Sequence, residues 1–170
     1  MSLLVIKVAS GNSPEIQNAI EKLTECTPEH KVIDASQMDI QPCRGCCKCM
    51  LDTPGVCCIR DDNETLLRAY LQYDDIVFIA DTALHYIDYK AKNIIDRIFP
   101  LVNVLTRFHE GEILHLPRYD TTFRVALLYT GSADRDLLNL WMIRFQKNMS
   151  ARSIGAYPMC EVEEVCQWIS

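Results

Sequence analysis

Short apolar runs along this chain alternate with stretches in which apolar side chains return every three or four residues. Residues 3–9 (LLVIKVA) form a run rich in branched side chains, the length of a strand buried on both faces of a parallel sheet. The run stops at Ser10, Gly11 and Asn12. Ser13 then offers a helix cap with Pro14 at the first helical position, and Ile16, Ala19, Ile20 and Leu23 recur at helical spacing. Residues 31–35 (KVIDA) predict a second strand. A cysteine-bearing loop follows, after which Asp61, Asp62, Asn63 and Glu64 resemble a capping box for a helix carrying Leu66, Leu67 and Tyr70. Asp61 and Asp62 read as a cap rather than an acid/base couple, because adjacent side chains do not converge on one substrate.

Residues 75–80 (DIVFIA) predict a third strand, and Ala91, Ile94, Ile95 and Ile98 a helix that Pro100 ends or kinks. Residues 104–121 show no period, which marks a surface excursion or part of a site. A fourth strand is predicted at 123–129 (FRVALLY), a helix through Leu137, Leu138, Trp141 and Phe145, and a short fifth strand at 154–159. Trp141, Met142 and Phe145 fit core spacing.

Strands alternating with helices imply a parallel sheet with right-handed crossovers and helices on both faces. Five strands predict the order 2-1-3-4-5. The switch point then lies between strands one and three, so a ligand would meet the loops leaving strands one, three and four at their carboxyl ends. The cysteine loop leaves strand two at the same edge.

Composition adds limits. At 170 residues, 49% hydrophobic and 24% charged, the chain reads as a single domain over residues 1–170 with its own core. A net charge of -6 argues against nucleic acid or an anionic membrane as partner. With no apolar run near the roughly 20 residues of a membrane span, and no leader pattern, the expected location is the cytoplasm.

The cysteines bring candidate chemistry. Of nine, six fall within residues 43–58: Cys43, Cys46, Cys47, Cys49, Cys57 and Cys58. Cys43, Cys46, Cys49 and Cys57 make a C-x2-C-x2-C-x7-C set compact enough to surround one iron–sulfur cluster, with Cys58 as the alternative fourth ligand. Arg44, Lys48 and Arg60 would favour thiolates. The same loop also reads as thiols that pack or stay free, or as a zinc site or disulfide.

Two passages carry a family resemblance. The first runs from Pro42-Cys43-Arg44-Gly45-Cys46-Cys47-Lys48-Cys49 through Gly55-Val56-Cys57 to Asp61-Asp62. The second spaces the strand-three aspartate, Lys92 and Asp96-Arg97 over residues 74–97. Together they resemble the NADPH-dependent FMN reductases and, within them, the iron-sulfur flavoproteins. The resemblance implies a three-layer, flavodoxin-like α/β fold, an FMN cofactor, NAD(P)H or a redox protein as electron donor, and a homo-oligomer. It implies that Ser10, Gly11, Asn12 and Ser13 face the flavin phosphate, in a loop shorter than the family's and without its Arg or Lys. Residues 80–85 stand where relatives carry a pattern like S-P-x-Y-x-G against the flavin ring. Asp81, Thr82, Ala83, Leu84, His85 and Tyr86 are therefore the second group of candidate flavin contacts, with Asp81 placing a carboxylate near the flavin edge. Thr130, Gly131 and Ser132 form the third.

The function implied is an FMN-dependent oxidoreductase or electron-transfer flavoprotein, its cluster serving as a one-electron relay. Two alternatives stand beside it: a flavin-less relative acting as a binding or assembly module, and a thiol- or metal-handling protein. His85 is the one candidate acid for hydride chemistry, against the reading of an ordinary loop histidine. His109 and His115 lack the neighbours of a metal site. Asp96 and Arg97 read as a helix-surface pair, structural or at a subunit contact.

Overall fold

The computed structural model describes residues 1–149 and 151–169. Along the chain, strand β1 (Leu3–Lys7) leads to helix α1 (Pro14–Glu25) and strand β2 (His30–Asp34). The cysteine loop holds one helical turn, α2 (Lys48–Leu51), and ends at α3 (Asn63–Tyr70). Strand β3 (Asp75–Ala80) is followed by a small hairpin, β4 (Thr82–Ala83) and β5 (Tyr86–Ile87), and by α4 (Tyr89–Asp96). A longer hairpin, β6 (Val102–His109) and β7 (Glu112–Pro117), precedes β8 (Arg124–Tyr129), α5 (Arg135–Met149), β9 (Arg152–Pro158) and α6 (Val162–Ile169).

Five parallel strands form one sheet in the order β2-β1-β3-β8-β9. With the five sheet strands numbered in chain order, this is the 2-1-3-4-5 arrangement the alternating pattern predicts. The period-two alternation of strand side chains divides the core. Leu4, Ile6, Ile76, Phe78, Val125 and Leu127 pack on one face with residues of α3, α4 and α5. Leu3, Val5, Val77, Ile79, Ala126 and Leu128 pack on the other with α1 and α6. The chain is thus a three-layer, flavodoxin-like α/β fold.

Local chemistry sets several boundaries. Ser13 caps α1 with its hydroxyl accepting the Ile16 amide at 3.3 Å, and Pro14 sits in the first turn. Lys7, buried inside a strand, is tolerated because its Nζ donates to Asp34 Oδ2 at 2.9 Å and so ties β1 to β2. At the opposite end of the sheet, Arg124 clasps the buried Asp75 carboxylate through Nε and Nη2, at 2.6 and 2.8 Å.

Several expectations change. Residues 104–121 lie mostly in the antiparallel hairpin β6–β7, whose signal was invisible because it has almost no buried face. Leu105, Phe108 and Ile113 are all exposed, so nothing enforces an alternation. Helix α6 was not foreseen, although Val162, Val165 and Ile169 meet the core. The cap at α3 also differs. Asp61 does accept the Asn63 amide at the start of α3, at 3.2 Å, but Asp62 makes no capping bond and instead accepts the Asp39 amide at 2.9 Å, and Glu64 binds Arg68 rather than closing the box. Nor does Arg97 lie on a helix surface: it is 2% exposed and pairs with Asp61. Lys92 and Asp96 do pair along α4, one turn apart.

Candidate functional site

Three loops meet at the carboxyl edge of the sheet, and Asp81 ties them together. It directly follows β3, where its Oδ2 accepts the Ser10 amide at 2.7 Å and its Oδ1 accepts the Thr130 hydroxyl at 2.6 Å. Thr82 adds a 2.6 Å bond from its hydroxyl to the Thr130 carbonyl. Gly131 is held close: a Cβ there would meet the Thr82 hydroxyl at 2.8 Å, and its φ of +74° favours glycine. The topology therefore brings Ser10, Asp81, Thr82, Thr130 and Gly131 together. Gly11, Asn12 and Ser13 lie exposed beside them, and Ser132 follows Gly131 on the surface.

The hairpin β4–β5 forms the outer wall. Its tip is Leu84 and His85, both in the left-handed region with φ of 52° and 63°. A leucine in that conformation is strained, a condition that persists mainly where the surroundings or a ligand require it. Leu84 is 98% exposed and points no apolar surface into the core. His85 is anchored by its backbone, whose carbonyl accepts the Asp134 amide at 2.9 Å; its exposed imidazole makes no hydrogen bond among the described residues. Ala83 is exposed on the same hairpin. Tyr86 turns inward, edge-on to Trp141 at 5.8 Å, and burial followed by the Asp96 charge pushes its phenol up to about 12.

This rim does not fit the phosphate end of FMN. The amide a phosphate would take from Ser10 is already donated to a carboxylate, and no Lys or Arg lies in residues 8–13, 81–86 or 130–134. Asp88 stands near enough to feel Asp81: burial first and then the Asp81 charge raise its carboxyl above the usual range, against the bond from the Ala91 amide.

The cysteine loop forms a second feature at the same edge. All six of its cysteines, with Met50, Ile59 and Phe99, line a cavity of about 100 Å³. Gly45 and Cys47 in left-handed conformation turn the loop into α2. The Sγ atoms of Cys46 and Cys58 lie 3.6 Å apart. Cys46 is held below the usual thiol range by the Lys48 amide and by the Cys58 contact, whereas burial and neighbouring thiols push Cys49 up to about 11. The close thiol pair thus joins one candidate ligand, Cys46, to the alternative, Cys58. Among the described residues, no three His, Cys, Asp or Glu side chains are grouped as a metal ion would need.

Behind the loop lies a contact that sequence reasoning missed. Arg97 donates to Asp61 through Nη1 and Nη2, at 2.8 and 3.0 Å, and to the Gln41 carbonyl at 2.5 Å; it also faces the Cys57 thiol. It thereby braces both ends of the cysteine loop. The only sequence signal was that the two halves belong to the two motif passages, 36 residues apart.

No family model and no curated protein matches the sequence. Solved structures do match in shape. An NAD(P)H:quinone oxidoreductase from Methanothermobacter marburgensis superimposes with a TM-score of 0.70 at 9% identity, over 100% of this chain and 99% of that one. The azoreductase AzrA gives 0.64 at 12%, over 100% and 99%. A flavone reductase gives 0.64 at 14%; it matches 99% of this chain, which spans 60% of that protein's length. At these identities the likeness establishes the fold that this chain shares with those reductases.

Proposed function

We propose that this chain is a flavin-dependent oxidoreductase taking electrons from NAD(P)H, with the flavin at the rim formed by residues 10–13, 81–86 and 130–132. The observation that carries the reading is the convergence of those three loops on Asp81 at the switch point of a flavodoxin-like sheet. The likeness to an NAD(P)H:quinone oxidoreductase, an azoreductase and an NADH:FMN oxidoreductase supports it. A bound flavin would supply the hydride chemistry. The chain's part is to hold the loops in register through Asp81 and to present the Leu84–His85 tip beside the ring. FMN is the flavin the family resemblance names, and its phosphate is the part the rim does not match. A second copy of the chain completing the site belongs to the same proposal.

The visible spectrum and a titration with riboflavin and with FMN test it. Flavin bands, or a dissociation constant of about 1 μM or below for either, together with NAD(P)H oxidation in the presence of a quinone, support the enzyme. Failure of both flavins to bind at about 1 mM overturns it and leaves a binding module.

The 3.6 Å approach of Cys46 and Cys58 favours a second role, a thiol centre beside the rim. Anaerobic preparation decides how these thiols are used. Brown protein absorbing near roughly 400 nm with about four irons per chain assigns the loop to an iron–sulfur cluster. Colourless, iron-free protein with titratable thiols assigns it to dithiol chemistry.

A further inference from the structure

We infer that Asp81 is a built-in occupant of the anion position, and that the site therefore takes a flavin ending in a hydroxyl, of the riboflavin class, in preference to a flavin ending in phosphate. The inference rests on the flavin reading of the rim and deepens it.

Both carboxylate oxygens of Asp81 are engaged, one by the Ser10 amide at 2.7 Å and one by the Thr130 hydroxyl at 2.6 Å. The Ser10 amide, in the loop that leads into a 12-residue helix capped by Ser13, is the kind of donor that binds an anion at a switch point, and the Thr130 hydroxyl adds a second from the loop after β8. The carboxylate has taken that place from within. A phosphate must displace it or sit beside it, and two anions a few ångströms apart repel strongly where water is partly excluded. No Lys or Arg lies within the three loops themselves. Lys7, the nearest in sequence to the first loop, is buried and committed to Asp34, Arg135 beyond the third loop is paired with Glu161, and the charge of Lys90 on α4 acts on Asp88. Asp88 and Asp134 add further negative charge around the rim, their side chains spent on capping the Ala91 and Leu137 amides.

A terminal hydroxyl meets the opposite situation. It donates a hydrogen bond, and an ionised carboxylate accepts several. The group that repels phosphate thus serves as acceptor for the end of an unphosphorylated ribityl chain. Carboxylate charge and the absence of Lys or Arg from the three loops act in the same direction.

The test is equilibrium titration of the protein with riboflavin and with FMN, followed by flavin fluorescence. The wild-type protein should bind riboflavin at least about tenfold more tightly than FMN. Asp81→Asn, which removes the charge and keeps a hydrogen-bonding side chain, should narrow that ratio mainly by improving FMN. Inorganic phosphate should then compete with FMN in the variant and leave riboflavin binding to the wild type unchanged. Asp81→Ser provides the same removal of charge if the amide does not fold, and the wild-type ratio stands without either variant. Tighter binding of FMN by the wild type, or an unchanged ratio in both folded variants, overturns the inference while leaving the flavin reading intact. Absence of binding by both flavins to all three proteins overturns the flavin reading and this inference with it.

Discussion

The guanidinium of Arg97 grips the carboxylate of Asp61 with two parallel hydrogen bonds, at 2.8 and 3.0 Å, with 1% and 2% of the two side chains exposed. A residue at the end of α4 thereby holds the cysteine loop at both ends, through Gln41 and Asp61. The pair is specific in geometry, yet its effect on stability depends on how it is broken. Two ions removed from water together gain little over an apolar pair, whereas one left alone is costly.

Arg97→Gln should therefore destabilise the protein by about 3–5 kcal/mol, seen as a lower urea midpoint at an unchanged slope. The double variant Arg97→Met with Asp61→Leu should recover most of that loss. If the single variant unfolds at the wild-type midpoint, the pair contributes nothing to the fold.

Acid should expose the same pair. Burial works to raise the Asp61 carboxyl, but the Arg97 bond, the Gln41 amide and the Arg97 charge outweigh it and hold the group below its ordinary value. The contribution is thus fully present above the unfolded-state value of about 3.9 and is lost as pH falls through the lower folded-state value. Asp34, shielded by Ser36 and Lys7 against the effect of its own burial, acts in the same direction. Urea midpoints followed by circular dichroism should decline between about pH 5 and 2 in the wild type, and the decline should be shallower in Arg97→Gln, where the unpaired Asp61 carboxyl no longer binds its proton more weakly in the folded chain than in the unfolded one.

Thiol reactivity should divide the cysteine loop. Cys46 is exposed and held low by the Lys48 amide, while Cys49 is half-buried and pushed up to about 11. Brief alkylation of the reduced protein near neutral pH, mapped by mass spectrometry, should modify Cys46 well ahead of Cys49. Equal labelling would show that the loop does not hold the described arrangement.

Strain at the hairpin tip offers a separation of folding from binding. Leu84 at a φ of 52° costs roughly 1 kcal/mol that glycine avoids. Leu84→Gly should leave thermal stability equal or raise it by up to about 1 kcal/mol, and should weaken flavin binding by removing apolar surface beside the ring. A large fall in melting temperature would mean that Leu84 serves the fold rather than the site.

The amino-acid sequence alone determined the alternation of strand and helix, the capped start of α1, the five core strands and their order. Each of these rests on periodic burial or on a contact within a few residues, and such signals are written locally. It also brought the candidate rim loops to one edge, because a parallel sheet places every strand's carboxyl end on the same side. Tertiary structure decided the rest. The β6–β7 hairpin escaped because a nearly faceless pair of strands imposes no pattern. Arg97 looked like a surface residue because its partner lies 36 positions earlier, and Asp81 became the centre of the rim only when Ser10 and Thr130, distant in the chain, were brought to its two oxygens. Burial and partnership of a charge are properties of the packed molecule, and local spacing carries no record of them.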